Sequence, residues 1–140
     1  MPGREYKVFL SHGAADGWIA RQMARRIRDD CGALTFLDVE DVASGDDFKR
    51  RIHAEVRAAG EVVALFTPWS VRRPWVWIEV GAAWVLGLRI VAVLHGLSVE
   101  DLEEAAGGKG VLEDLHIIEL NDFEKYTSEL KTRVDEAPDA

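Results

Sequence analysis

Five short runs of almost unbroken apolar residues, separated by longer stretches of helical period, limit what this chain can fold into more than any other feature. They are YKVFLSH (6–12), ALTFLD (33–38), EVVALFT (61–67), LRIVAVL (88–94) and HIIEL (116–120). A strand with one wet face alternates apolar and polar residues, whereas a strand covered on both faces of a parallel sheet is apolar throughout. The runs therefore predict buried parallel strands. Between the first two, Asp16 is positioned to cap a helix carrying Ile19, Met23 and Ile27, closed by Gly32. Phe48, Ile52 and Val56 form a second helical stripe ending at Gly60, and a tryptophan-rich segment from Trp75 to about Gly87 forms a third. SVED (98–101) has capping-box character, and Phe123, Tyr126, Leu130 and Val134 align on a last helix.

Regular strand and helix alternation within 140 residues predicts one α/β domain. Its expected form is a flavodoxin-like, doubly wound, five-stranded parallel sheet of order 2-1-3-4-5. The expected domain spans residues 6–135, between an N-terminal tail (1–5) and an acidic C-terminal tail (136–140). In such sheets ligands bind outside the carboxyl ends of the strands, near the switch point between strands one and three. SHGAAD, DVEDVASGDD, TPWSVRRPW and HGLSVED become the segments of interest.

The sharpest feature lies beside that point. In RRPWVWIEVGAAW (72–84) a single carboxylate, Glu79, sits among tryptophans and small apolar residues. Trp75 and Glu79 are four residues apart and share a helix face. The helix looks apolar on nearly all sides, as one packed into the core would be. A carboxylate there costs several kcal/mol unless paired or protonated, which marks a site. A structural alternative pairs Glu79 with Arg72, Arg73 or another arginine and treats Trp75 as a core plug; Trp77 and Trp84 read as packing. Ser11 ends strand one at the crevice and suits ligand contact better than nucleophilic attack, since GxSxG is missing. His12 reads as exposed. Asp38, ending strand two, either caps a turn or binds a hydroxyl, and Gly45 lies in a flap-like loop.

The net charge of -8, from 17 basic and 25 acidic residues, argues against a nucleic-acid partner. The longest apolar segment falls well short of the roughly 20 residues needed to cross a bilayer, so no membrane partner is expected. Cys31 stands alone, which suits a reducing cytoplasm. The histidines have no ligand spacing, the acidic loop lacks a calcium pattern, and no metal site is expected. GGKG (107–110) follows a helix and lacks the Ser or Thr of a P-loop, so it reads as a turn.

Taken in order, YKVFLSH with Asp16, FLDVEDVASGDDFKRRIHAEV, VVALFTPWSVRRPWVWIEVGAA and RIVAVL resemble the TIR (Toll/interleukin-1 receptor) domain family, in its prokaryotic enzymatic form. The resemblance covers about residues 6–95. It implies that WVWIE is the family's WxxxE motif, with Glu79 as the catalytic residue cleaving NAD at the nicotinamide–ribose bond. It also implies a pocket lined by Ser11, the flap around Gly45, Trp69 and Ser70, to which Asp38 at the end of strand two and Trp75 on the face of Glu79 are added by position. NAD would be substrate, with no permanently bound cofactor. Further implications are self-association through TIR–TIR contacts, a separate sensor or effector protein, and a role in anti-phage or stress signalling. Receptor and adaptor domains usually carry an arginine, an aspartate and a proline before the flap glycine; EDVASGDD has neither the arginine nor the proline, which disfavours pure scaffolding. Two alternatives are a non-catalytic TIR interaction module and a nucleoside deoxyribosyltransferase-like enzyme using Glu79 as nucleophile.

Overall fold

The computed structural model describes residues 5–37 and 46–137, the side chains of 46–48 excepted. Strand β1 (Lys7–Ser11) leads into helix α1 (Gly17–Cys31), and β2 (Leu34–Leu37) is followed by α2 (Asp46–Ala58). Then come β3 (Glu61–Phe66), α3 (Pro74–Val85), β4 (Arg89–Leu94), α4 (Val99–Ala106), β5 (Leu115–Glu119) and α5 (Phe123–Glu136). All four strand pairings are parallel and the order is β2-β1-β3-β4-β5. This is the flavodoxin-like arrangement expected from the sequence.

Alternate side chains of each central strand enter two separate cores. Phe9, Val62, Ala64, Phe66, Ile90 and Ala92 pack with Ile52, Val56, Val76, Val80 and Leu102 from α2, α3 and α4. Their neighbours Val8, Leu10, Val63, Leu65, Val91 and Val93 pack with Met23, Ile27, Tyr126 and Leu130 from α1 and α5. The period of two along a strand thus explains why both faces are apolar. Only the central strands meet the expectation of full burial. At the edge, β2 has Leu34 exposed and its other residues half-buried, and β5 is similarly open. An edge strand has one neighbour, and residue composition alone does not mark which strand will be the edge.

Helix ends follow local chemistry. Gly32 closes α1 in the left-handed conformation with φ of 74°. Ser98 and Asp101 form a reciprocal capping box on α4. Pro74 occupies the first turn of α3, where its missing N–H costs nothing. Asp16 does not cap α1 with its side chain as expected; it ends a 3₁₀ turn, Ala14–Asp16, and its carboxylate is directed elsewhere.

At the amino end of β3 the sequence conceals a buried charge. Glu61 is fully buried and accepts hydrogen bonds from Arg133 Nε (2.8 Å) and Nη2 (3.0 Å), Tyr126 Oη (2.6 Å) and Tyr6 Oη (2.8 Å). Burial pushes the Glu61 carboxyl up, but the donors from Arg133, Tyr126 and Tyr6 outweigh it and hold the carboxyl below its ordinary value of 4.5. Burial, reinforced by Glu61, pushes Tyr6 up to about 12. Gly60 keeps this corner open, since a Cβ there would lie 2.6 Å from the Tyr6 ring.

Removing one member of a buried pair strands the other, so Arg133→Ala should lower stability by about 3 kcal/mol in urea unfolding. Because the folded pKa of Glu61 is depressed, its contribution is complete above about pH 4.5 and is lost as pH falls through the folded value. Tyr6 has the opposite sign: its contribution is complete below pH 10 and is lost as pH rises toward about 12. A stability profile whose acid limb is unchanged by Arg133→Ala would contradict this account.

Candidate active site

The switch point lies where β1 and β3 run side by side before their chains turn to opposite halves of the sheet. Phe9 faces α2 and α3, so Ser11, two residues on, faces the same way at the carboxyl end of β1. On α3 the buried positions are Val76, Glu79, Val80 and Ala83, one stripe in which Glu79 stands where an apolar residue would otherwise pack. These two geometries meet. Ser11 Oγ donates a short hydrogen bond to Glu79 Oε1, and both residues are almost wholly shielded, at 0% and 1% exposure.

A polar group in so dry a place is strongly oriented by its hydrogen bonds, because water does not compete for them. Ser11 therefore positions the carboxylate. Arg72, one of the arginines considered beside Glu79, lies 3.9 Å from Glu104 at the surface. Trp75, one turn before Glu79, is half-buried against the α2–α3 core. Trp77 packs on Phe66 with ring centroids 4.8 Å apart and donates its indole N–H to the Val71 carbonyl at 2.7 Å.

Trp84 corrects the expectation that it packs in the core. It is exposed, and its indole N–H donates to Asp114 at 2.7 Å. The helix is likewise not enclosed on all sides: Ile78, Val85 and Leu86 reach solvent. A stripe of four buried positions is all that one sheet face covers.

A second buried network, not anticipated from the sequence, braces the loops around the crevice. Thr67 Oγ1 donates to Asp16 Oδ2 at 2.7 Å and accepts from the Trp69 backbone N–H at 3.2 Å. Ser70 Oγ accepts from the Thr67 N–H at 2.9 Å and donates to the Leu65 carbonyl at 3.1 Å. Such short-range hydroxyl bonds fix a tight turn after a strand. Gly13 fits beneath this turn; a Cβ there would lie 3.1 Å from Ser70 Cβ. The signal was present in SHGAAD and TPWS as small and polar residues after two strands, but their mutual contact depends on β1 lying beside β3.

Of the residues singled out from the sequence, Ser11, Ser70, Trp75 and Glu79 lie around the ends of β1 and β3 and the first turns of α3. Ser70 is fully buried, and its hydroxyl is occupied by the turn. Trp69, by contrast, is 69% exposed on the same loop. Asp38 and Gly45, with Glu40 and Asp41, lie outside the described residues. His12 is buried rather than exposed, with Nδ1 2.8 Å from the Gly13 carbonyl; a carbonyl only accepts, so Nδ1 carries a proton. No described helix is long and apolar enough to cross a membrane.

A family model described as TIR domain matches residues 8–133. Among solved structures, the TIR domains of the activated Roq1 resistosome, which directly recognises the pathogen effector XopQ, align with a TM-score of 0.59 at 13% identity, over 96% of this chain and 86% of that one. The Clostridium botulinum CMP N-glycosidase BcmB aligns with a TM-score of 0.58 at 18% identity, over 90% of this chain and 98% of that one. A 2-desoxiribosyltransferase from Leishmania mexicana gives 0.54 at 14% identity, over 64% of each chain. At these identities the likeness is one of fold. A comparison with curated protein sequences finds no match.

The Thr67–Asp16 bond has a measurable consequence. Asp16→Ala leaves a buried hydroxyl without its acceptor and should destabilise the domain by about 1–3 kcal/mol. Thr67→Ser, which keeps the hydroxyl, should cost less than Thr67→Val. Urea denaturation in which the two Thr67 variants are indistinguishable would show that the bond does not hold the loops together.

Proposed function

The chain belongs to the TIR domain family, and from that premise we propose that it is an enzyme cleaving the nicotinamide–ribose bond of NAD, with Glu79 as the catalytic group. The observation that carries this reading is the buried Glu79 carboxylate, oriented by Ser11 at the carboxyl end of the β1–β3 switch. Ligand crevices in doubly wound sheets lie at this place.

The chemistry needs little more than a fixed negative charge in a dry pocket. When the bond between ribose C1′ and the pyridinium nitrogen breaks, its electron pair goes to the ring and nicotinamide leaves neutral. Positive charge then spreads over C1′ and the ring oxygen. Glu79 stabilises that oxocarbenium character, as carboxylates do in glycoside cleavage. Water adding to C1′ and losing one proton gives ADP-ribose; an adenine nitrogen of the same molecule adding there gives a cyclic isomer. Ser11 acts as a positioning residue through its bond to Oε1. Trp75 offers an aromatic wall suited to a planar cationic ring. Trp69, Ser70, Asp38 and Gly45 complete the proposed pocket, with Ser70 contributing through the shape of its turn.

In this reading NAD is substrate rather than resident cofactor, and the cytoplasm supplies it. The protein self-associates through TIR–TIR contacts, works with a separate sensor or effector, and serves prokaryotic anti-phage or stress signalling. A second reading draws on the two N-glycoside enzymes among the structural neighbours. There Glu79 attacks C1′ of a nucleoside or nucleotide directly, forming a glycosyl–enzyme ester as the base departs. A third, a non-catalytic interaction module, makes association indifferent to Glu79.

Nicotinamide release by the purified protein, followed over a range of protein concentrations, separates these readings. Glu79→Gln, close to isosteric, should reduce kcat by at least about 10²–10³ with an unchanged melting temperature. Ser11→Ala should reduce it about 10- to 150-fold, the equivalent of a hydrogen bond to a charged group. NAD cleavage that survives Glu79→Gln sinks the assignment. Base release from CMP or deoxynucleosides, without nicotinamide release from NAD, selects the second reading.

A further inference from the structure

The outward side of α3 differs from that of the other helices. Its residues PWVWIEVGAAWV include one charged side chain, Glu79, and that one is turned inward. Ile78 and Val85 are 56% and 77% exposed, and Leu86 follows at 46%. They form a ridge two turns long. Beside the ridge runs an apolar groove of about 400 Å³, lined by Trp77, Gly81, Trp84, Val111 and Leu115. Gly81 is an exposed part of its lining, and a Cβ at that position would meet nothing within 4 Å. A glycine weakens a helix interior, and nothing in the packing of one copy requires it here. A contiguous apolar surface with a polar rim marks a site of association.

We propose that this face joins two copies of the chain about a two-fold axis crossing the middle of α3. Ridge and groove occupy adjacent stripes of the same helix. A two-fold sets the two helices antiparallel, brings Ile78 of each copy opposite Val85 of the other, and seats each ridge along the other's groove at Gly81. Such a contact is closed, because the same patch serves both copies. Charge favours the same arrangement. Two chains of net charge -8 repel, and the outward face of α3 adds no charge to that repulsion. Arg73 lies at the amino end of the helix, next to Arg72, which is 3.9 Å from Glu104 of the same chain, while Glu113 and Asp114 lie toward the other end, where Asp114 meets Trp84. The antiparallel arrangement turns Arg73 of each copy toward the acidic end of the other. A helix of 12 residues is roughly 18 Å long. A contact centred on it is at the small end of specific interfaces, about 1,200 Å² in total, so association is concentration dependent.

This inference deepens the self-association in the function proposed above and is independent of NAD cleavage. Sedimentation equilibrium of the full chain from about 1 to 500 μM tests it. The wild type should pass from monomer to dimer. Val85→Glu should raise the dissociation constant at least about tenfold. Gly81→Leu, which fills the groove while replacing a poor helix former, should do the same without lowering the melting temperature. A dimer indifferent to both substitutions overturns this surface and leaves self-association standing. A wild type that stays monomeric throughout while still releasing nicotinamide overturns the association and leaves the chemistry.

Discussion

The parallel pairing of β1 with β3, in the register that sets Val8 beside Glu61 and Ser11 beside Ala64, governs what each end of the molecule presents. Side chains alternate along both strands, so this register sends Ser11 toward α3 at the carboxyl end and Glu61 toward α5 at the amino end. Slipping β1 by one residue would carry Ser11 to the opposite face, away from Glu79, and bury Phe9 against the wrong helices. The candidate site and the anchor of the last helix are thus two products of one strand pairing.

The two buried glutamates answer different requirements. Glu61 meets a bidentate guanidinium and two phenols, a set that neutralises its charge and satisfies both oxygens. That arrangement holds elements together. Glu79 accepts a hydrogen bond from the Ser11 hydroxyl at the opposite, carboxyl end of the β1–β3 pair, where doubly wound sheets hold their ligands. Burial alone does not distinguish the two glutamates; their places in the sheet do.

The sequence made some of this legible and hid the rest for a consistent reason. Continuous apolar runs and helical stripes are local patterns, and they specified the five strands and the placing of Glu79 on the helix after β3; the sheet order came from the fold type that such alternation implies. Exposure at β2, the buried His12 and the outward Trp84 depend on which elements become neighbours, and no local period encodes that. Asp16 shows the limit well. It stands where a helix cap belongs, yet its carboxylate bonds a threonine 51 positions away. Glu61 likewise opens an apolar strand and gives no hint of partners on the last helix.

The clamp on Glu61 also makes its burial and its neutralisation inseparable. β1 and β3 form the middle of the sheet, but the guanidinium that neutralises Glu61 comes from a residue 72 positions later. The helix that shields this carboxylate is the same one that brings its donors, Tyr126 and Arg133. Burial and neutralisation of Glu61 are therefore one event: with α5 undocked the carboxylate faces water, and with α5 docked it is already paired. A contact of such long sequence separation couples the centre of the sheet to the last helix.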